Sequence, residues 1–269
     1  MKRDNSQRLF GMAMGRLNIP SAETRDFAAM PHLHCAELPL DAWLGEKHYV
    51  SYYQDETHYR DLYCGSIMDP QVCRAILSAP EKHIRDFVAE AKSVLEKLSA
   101  ASVNNVSLDF DLEEIAGDVE AEEKLLFILR LLAPVLYRNK QILLLPCRLP
   151  SRHEAGVILR LMRNTLSPWI KLRLELHPYD FKQEDDQKKL ALSFVFEAGS
   201  VVFVYDADSG CRIQKDQVDL WLQTLEQYGY AGPFLLAPLS RRQMSLPESE
   251  SWDKIAEGYL NNAAPVDAN

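Results

Sequence analysis

The chain has 269 residues, 47% of them hydrophobic and 26% charged, with a formal net charge of −9. The length suits one large α/β domain or two small ones, and the composition is that of a core-forming globular chain. The acidic balance argues against a general nucleic-acid partner, which needs clustered Lys and Arg, and no run approaches the ~18 apolar residues of a membrane span. Five scattered cysteines (Cys35, Cys64, Cys73, Cys147 and Cys211) form no C-x-x-C pair, and "MKRDNSQRLFGMAMGRL" has no long apolar stretch ending in a cleavage site. These features predict a reduced, cytoplasmic, soluble protein.

In chain order, "RLFGMAMGRL" and "LHCAELPL" read as strands, joined by a short helix near "AETRDFAAM". "KHYVSYYQ" reads as a third strand and "DETHYRDLYCGSIMDP" as a long loop after it. The pattern then becomes regular. "HIRDFVAEAKSVLEKLSAA" places Ile84, Phe87, Val88, Ala91, Val94, Leu95 and Leu98 at helical spacing. "NVSLDFDLEE" follows as a strand, "EEKLLFILRLLAPVLYRN" as a helix, "QILLLPCRLP" as a strand and "HEAGVILRLMRNTL" as a helix. Next come "IKLRLELHPYDF" (strand), "DDQKKLALSFVFEAG" (helix), "SVVFVYDADSG" (strand), "QKDQVDLWLQTLEQYGY" (helix), "GPFLLAPLS" (strand) and "ESWDKIAEGYLNNA" (helix). Strands alternating with helices imply βαβ units and a parallel sheet. A count of eight strands at this length predicts a (β/α)8 TIM barrel occupying residues 1–269 as a single domain. An open doubly wound sheet would share the alternation, but Gly11 and Gly15 in "FGMAMGRL" form no G-x-G-x-x-G turn.

In such a barrel one strand face meets the helices and the other meets the interior. Val106, Leu108, Phe110 and Leu112 form the helix-facing set of one strand, which turns Ser107, Asp109 and Asp111 inward. Ile170, Leu172, Leu174 and Leu176 do the same in another, turning Arg173, Glu175 and His177 inward. A charge in a dry interior needs a partner, so strand geometry pairs Arg173 with an inward carboxylate such as Asp109, as a structural tie. Glu175, His177, Asp111 and Asp206 fall nearer the C-terminal strand ends, where barrel active sites form. Glu175, His177 and Asp111 are the candidate catalytic groups.

Other features carry less. His32-x-His34 enters the second strand, at the bottom of a barrel, far from the expected site. The second D-x-D, in "YDADSG", lacks calcium-loop spacing. The acidic run "DLEEIAGDVEAEE" suits a solvated helix start. Tyr49, Tyr52, Tyr53, His58, Tyr59 and Tyr63 crowd the long loop, either packing it onto the barrel or covering a pocket. No glycine-rich phosphate cradle is present, but Arg148 and Arg152 follow strand five and Arg241-Arg242 follow strand eight, and guanidinium groups grip carboxylate or phosphate.

The order of elements, with "LHCAELPLD" and "FILRLLAPVLYRNKQILLL", resembles the xylose isomerase-like barrels of the sugar phosphate isomerase/epimerase group. The resemblance implies a small-molecule sugar or sugar-derived substrate, with Glu37 ending the "CAE" counterpart of a family glutamate. It also implies a divalent metal (Mn, Mg or Zn) held by two glutamates, an aspartate and a histidine at the ends of strands five to eight. Here Glu175, His177 and Asp206 would supply ligands, and Glu37, Arg148 and Arg241 would bind substrate. Strands five and eight depart from the pattern, ending in Pro146-Cys147-Arg148 and Ala237-Pro238 where glutamates are expected. Two readings stay open: an isomerase or epimerase, and a non-catalytic or metal-free barrel binding an anionic metabolite or a partner protein.

Overall fold

A computed structural model describes residues 9–13, 32–44, 61–148, 152–177, 192–205, 215–238 and 246–262. The strands are β1 (Phe10–Ala13), β2 (Cys35–Leu38), β3 (Asp61–Ser66), β4 (Asn105–Ser107), β5 (Ile142–Arg148), β6 (Ile170–Leu176), β7 (Ala198–Tyr205) and β8 (Phe234–Pro238). They form a closed parallel barrel in sequence order, β8 pairing with β1. The described helices are α1 (Leu40–Leu44), α2 (Pro70–Ile76), α3 (Glu81–Ala100), α4 (Leu112–Ile115), α5 (Val119–Asn139), α6 (Arg152–Asn164), α7 (Lys215–Gln227) and α8 (Leu246–Asn262). The architecture is a (β/α)8 TIM barrel. No described helix is long and apolar enough to cross a membrane.

The long helices form because one face can be buried. On α3, Ile84, Phe87, Val88, Ala91, Leu95 and Leu98 are buried; on α5, Leu125, Ile128, Leu129, Leu132, Val135 and Leu136 are. Burying a large aliphatic side chain stabilises the fold by about 1.5–3 kcal/mol before entropic costs. Asp118 caps α5 by accepting from the Ala121 N–H at 3.1 Å. These faces meet the outward side chains of the strands, such as Val106, Leu143, Leu145, Leu172 and Leu174, in one continuous core.

A second, smaller core fills the barrel itself: Ala13, Cys35, Tyr63, Leu144, Val202, Val204, Leu235 and Ala237. The strand alternation is therefore as expected. In β6 the burial pattern runs strictly in twos, with Ile170, Leu172, Leu174 and Leu176 buried against the helices. Lys171, Arg173 and Glu175 take the other face, and Lys171 lies at the bottom, where its Nζ donates to the Phe196 carbonyl.

Two expectations are corrected. The third strand is Asp61–Ser66, inside the stretch read as a long loop, because Gly65 and Ser66 mimic turn residues while Tyr63 faces the interior. Tyr63 is therefore a barrel residue and not part of a covering loop. The fourth strand is short: the Leu108 N–H still donates to the Leu144 carbonyl, but Asp111 caps α4, accepting from Glu113 and Glu114 backbone N–H groups. An aspartate followed by a run of helix-starting acids favours a cap over a strand. The segments 47–54 and 22–30 and residues 185–191 of the helix read over 185–199 lie outside the described residues, as do Asp206 and Arg241; in the rest of that stretch only residues 192–193 are helical, and β7 already begins at Ala198.

The barrel closes through α8. Its Trp252 packs edge-on to Phe10 at 5.6 Å and against Phe203 at 5.5 Å, and its Nε1–H donates to the Gly11 carbonyl at 2.9 Å. The neighbouring Asp253 accepts from the His32 N–H at 2.9 Å and lies 3.1 Å from His32 Nδ1. His32 thus ties the start of β2 to α8, at the bottom of the barrel. Gly11 is glycine because a Cβ there would lie 2.1 Å from the Cys35 carbonyl oxygen. Gly156, on the exposed side of α6, would meet nothing within 4 Å. Opposite outcomes follow for one substitution. Gly156→Ala is expected to raise stability by about 0.5–1 kcal/mol, since glycine is costly in a helix, whereas Gly11→Ala is expected to prevent barrel closure. Urea unfolding and circular dichroism of both variants check this.

Candidate active site

The site is built from the interior face of two opposing strands. β2 and β6 stand across the barrel from each other, four strands apart in either direction. Glu37 ends the inward series of β2 and is buried. Arg173 and Glu175 continue the inward series of β6, and His177 follows just past the strand, also buried. Small inward residues (Gly11, Ala13, Cys35, Ser107, Ser200 and Ala237) leave the space that Arg173 and Tyr63 fill.

The guanidinium of Arg173 lies between two carboxylates. Nη1 donates to Glu175 Oε1 at 2.5 Å, and Nε lies 3.1 Å from Glu37 Oε2. The second contact is close, but the Nε–H does not point at the oxygen, and neither atom makes a hydrogen bond there. Glu175 Oε2 lies 3.7 Å from His177 Nε2. Arg148, exposed at the end of β5, is the ladder neighbour of Glu175. The expected partner Asp109 adds to the attraction on Arg173, and its backbone N–H donates to Ser66 Oγ at 3.3 Å, which joins the ends of β3 and β4.

One guanidinium serves two carboxyls unequally. Burial opposes ionisation of Glu175, but Arg173, the nearby His177 imidazole and Arg148 outweigh it and hold the carboxyl below its usual range. At Glu37 burial wins: Arg173 opposes it, while Asp109 and Glu175 add to it, and the carboxyl is raised. The 3.1 Å distance brings the charges together, but the poor alignment and deep burial make Glu37 the more readily protonated of the two carboxyls. Arg173 itself loses solvation by burial, yet Glu37, Glu175 and Asp109 more than compensate, so it stays charged.

The sequence reading missed Glu113. It sits in the first turn of α4, which packs on β5, and is only partly exposed. Burial first, then the charge of Asp111, push its carboxyl up to about 7; Arg148 lowers it, and Glu154 and Glu175 raise it further. Below it, the Cys147 thiol is raised by burial and by Glu113 and Glu175, and Sγ donates to the Arg148 carbonyl. Only the run of acids after strand four hinted at Glu113, and that run suits a solvated helix start equally well. Asp111 is brought to the same rim but is exposed and engaged as a helix cap.

Among the described residues no three His, Cys, Asp or Glu side chains converge as a cation site. Glu175 and His177 are adjacent, but Glu175 Oε1 is taken by the guanidinium, and a divalent ion bound to that carboxylate would sit against a fixed positive charge. The described residues therefore do not fit the expected metal. The third expected ligand, Asp206, and the expected substrate-binding Arg241 lie outside them.

Two neighbouring substitutions are expected to differ. Glu37→Gln keeps the shape of the more readily protonated of the two carboxyls and is expected to unfold within about 1 kcal/mol of the wild type. Glu175→Gln strips a buried guanidinium of its ionised partner and is expected to cost about 3–5 kcal/mol. Urea unfolding at neutral pH checks both.

No protein-family model and no curated protein matches the sequence. Solved structures do match. 3-Keto-D-glucoside 4-epimerase YcjR from E. coli aligns over 95% of this chain and 100% of its own, with a TM-score of 0.65 and 11% identity. A xylose isomerase-like TIM barrel protein from Mycobacterium smegmatis, in complex with magnesium, aligns over 98% and 100%, with a TM-score of 0.67 and 10% identity. D-allulose 3-epimerase from Methylomonas sp. aligns over 95% and 98%, with a TM-score of 0.61 and 14% identity. At these identities the likeness is one of fold: the protein has the fold of the xylose isomerase-like TIM barrels.

Proposed function

We propose that the protein is an isomerase or epimerase of a sugar or sugar-derived metabolite, working at the C-terminal mouth of the barrel. The observation that carries this reading is the largely buried row Glu37–Arg173–Glu175–His177, which rises to the mouth within electrostatic reach of Glu113. Moving a proton next to a carbonyl needs one group that accepts and one that donates, each with a pKa suited to its task. Glu175 is held ionised and Glu113 is held protonated towards neutrality, and two carboxyls pushed apart in this way suit the base and acid roles. In this reading Glu175, oriented by Arg173 and His177, accepts the proton, and Glu113 donates one to the substrate oxygen. His177 steadies Glu175, and Asp111 holds the start of α4, and with it Glu113, at the rim.

The described mouth also supports an uncharged substrate over an anionic one. Even with Glu37 and Glu113 set aside as the raised carboxyls, Asp109, Asp111, Glu154 and Glu175 outnumber Arg148 and Arg173, and Arg148 faces Glu175. A phosphate or carboxylate would meet net repulsion here, which weakens the reading as an anion-binding barrel.

The test is proton exchange. Incubation with a panel of aldoses, ketoses and keto-sugars in D2O is expected to give deuterium at the carbon beside the carbonyl, seen by NMR, together with an isomer or epimer. No exchange with any member of the panel would count against the assignment. Glu113→Gln is expected to lower kcat by about 10²-fold or more with a smaller change in KM.

The pH dependence has a definite sign. The Glu113 carboxyl is raised from 4.5 to about 7, so the donating form is lost as pH rises through about 7. The kcat of the wild type is expected to fall above that pH. The same shift means that Glu113 stabilises the fold most below pH 4.5 and that this contribution is lost by about pH 7. Glu113→Gln is therefore expected to raise Tm relative to the wild type at pH 8, and not at pH 4, in thermal melts.

A further inference from the structure

We propose that the Arg173 guanidinium occupies the place of a divalent cation in this barrel, so that the mouth works on a positive charge the chain itself supplies. Three ligand-type side chains are gathered by the guanidinium: Glu37 from β2 and Glu175 from β6 each lie against it, and His177 follows beyond Glu175. Two carboxylates and an imidazole are donors that Mn²⁺ or Zn²⁺ accepts. What sits among them is the guanidinium, with Nε 3.1 Å from one carboxylate and Nη1 2.5 Å from the other. Two other strand ends reinforce the substitution, β5 beside β6 and β8 further round the barrel. The end of β5 brings a second arginine, Arg148, beside Glu175 in the ladder, and the inward residue near the end of β8 is Ala237.

The exchange is chemically sensible. A guanidinium keeps its charge at any pH the fold survives and offers a planar fork of N–H donors to paired oxygens. A bound cation would hold Glu175 ionised and fixed in orientation, and Arg173 does both from a strand that is itself locked by the barrel. Arg173 acts on substrate through Glu175 and is a positioning residue. Its charge also lies below the mouth, where negative charge on a substrate oxygen would develop. A guanidinium cannot be chelated away, so the site should be indifferent to metal removal.

The inference rests on the mouth being the site, but its test does not need turnover. Wild-type protein dialysed against EDTA is titrated with Mn²⁺ by calorimetry and by electron paramagnetic resonance, and Arg173→Ala is treated alike. The expected result is no stoichiometric Mn²⁺ on the wild type and one equivalent on Arg173→Ala, whose Glu37, Glu175 and His177 are released. Stoichiometric Mn²⁺ on the wild type would overturn the inference, and so would a folded Arg173→Ala that binds none. Where Arg173→Ala is unfolded, refolding is compared with Mn²⁺ and with Na⁺ alone: rescue by Mn²⁺ supports the inference, and no rescue counts against it. Activity lost in EDTA and restored by Mn²⁺ would overturn this inference while leaving the isomerase assignment standing. Absence of any proton exchange would do the reverse.

Discussion

A single positive charge inside the barrel orders everything above it. Arg173 projects from β6 towards β2 on the far wall, and it is largely buried, where little water can screen it. Such a charge is tolerated only with a counter-charge in reach, and here two carboxylates compete for it. Glu175 wins because its contact is short and aligned and because His177 and Arg148 add to it. Glu37 loses because its contact is misaligned and its surroundings are drier. The asymmetry makes Glu175 the more readily ionised of the two carboxyls. It also fixes where Glu175 points, since one of its oxygens is held from below and the other faces His177.

The inner wall makes this arrangement possible by being unusually spare. TIM barrels commonly fill their centre with layers of branched apolar side chains. Here Leu144, Val202, Val204 and Leu235 supply such side chains, but glycine, alanine, serine and cysteine stand at other inward positions and leave room for one arginine and one tyrosine. The helix-facing shell, by contrast, is thoroughly apolar. Stability and chemistry are thereby divided between two cores: the outer one holds the fold, and the inner one sets the charges.

Much of this was legible in the residues. Ile170 to Leu176 alternate so strictly that their inward set could be named from spacing alone, and the helices from α3 onward announced themselves by periodicity. β3 was not legible, because its Gly65 and Ser66 look like a turn until β2 and β4 lie on either side. Asp111 was read as an inward strand residue when the acids after it already spelled a helix cap. The alternation showed that Arg173 points inward, but no spacing rule says that Glu37, 136 positions earlier, meets it from the opposite wall; the curvature and closure of the sheet decide that. Glu113 was invisible for the same reason, since its partial burial depends on how α4 settles against β5.

The clasp between α8 and the first strands has a consequence for how the chain reaches this state. Trp252 finds the Gly11 carbonyl across 241 positions of sequence, and Asp253 finds His32 across 221. A polypeptide emerging from the ribosome therefore carries β1 with one edge unsatisfied until β8 and α8 have been made. Contacts so distant in sequence are slow to form, and an exposed parallel edge is a template for pairing with other nascent chains. The seam between β1 and β8 is thus the point at which biosynthesis of this barrel is most open to error, and the place where a chaperone would be most needed.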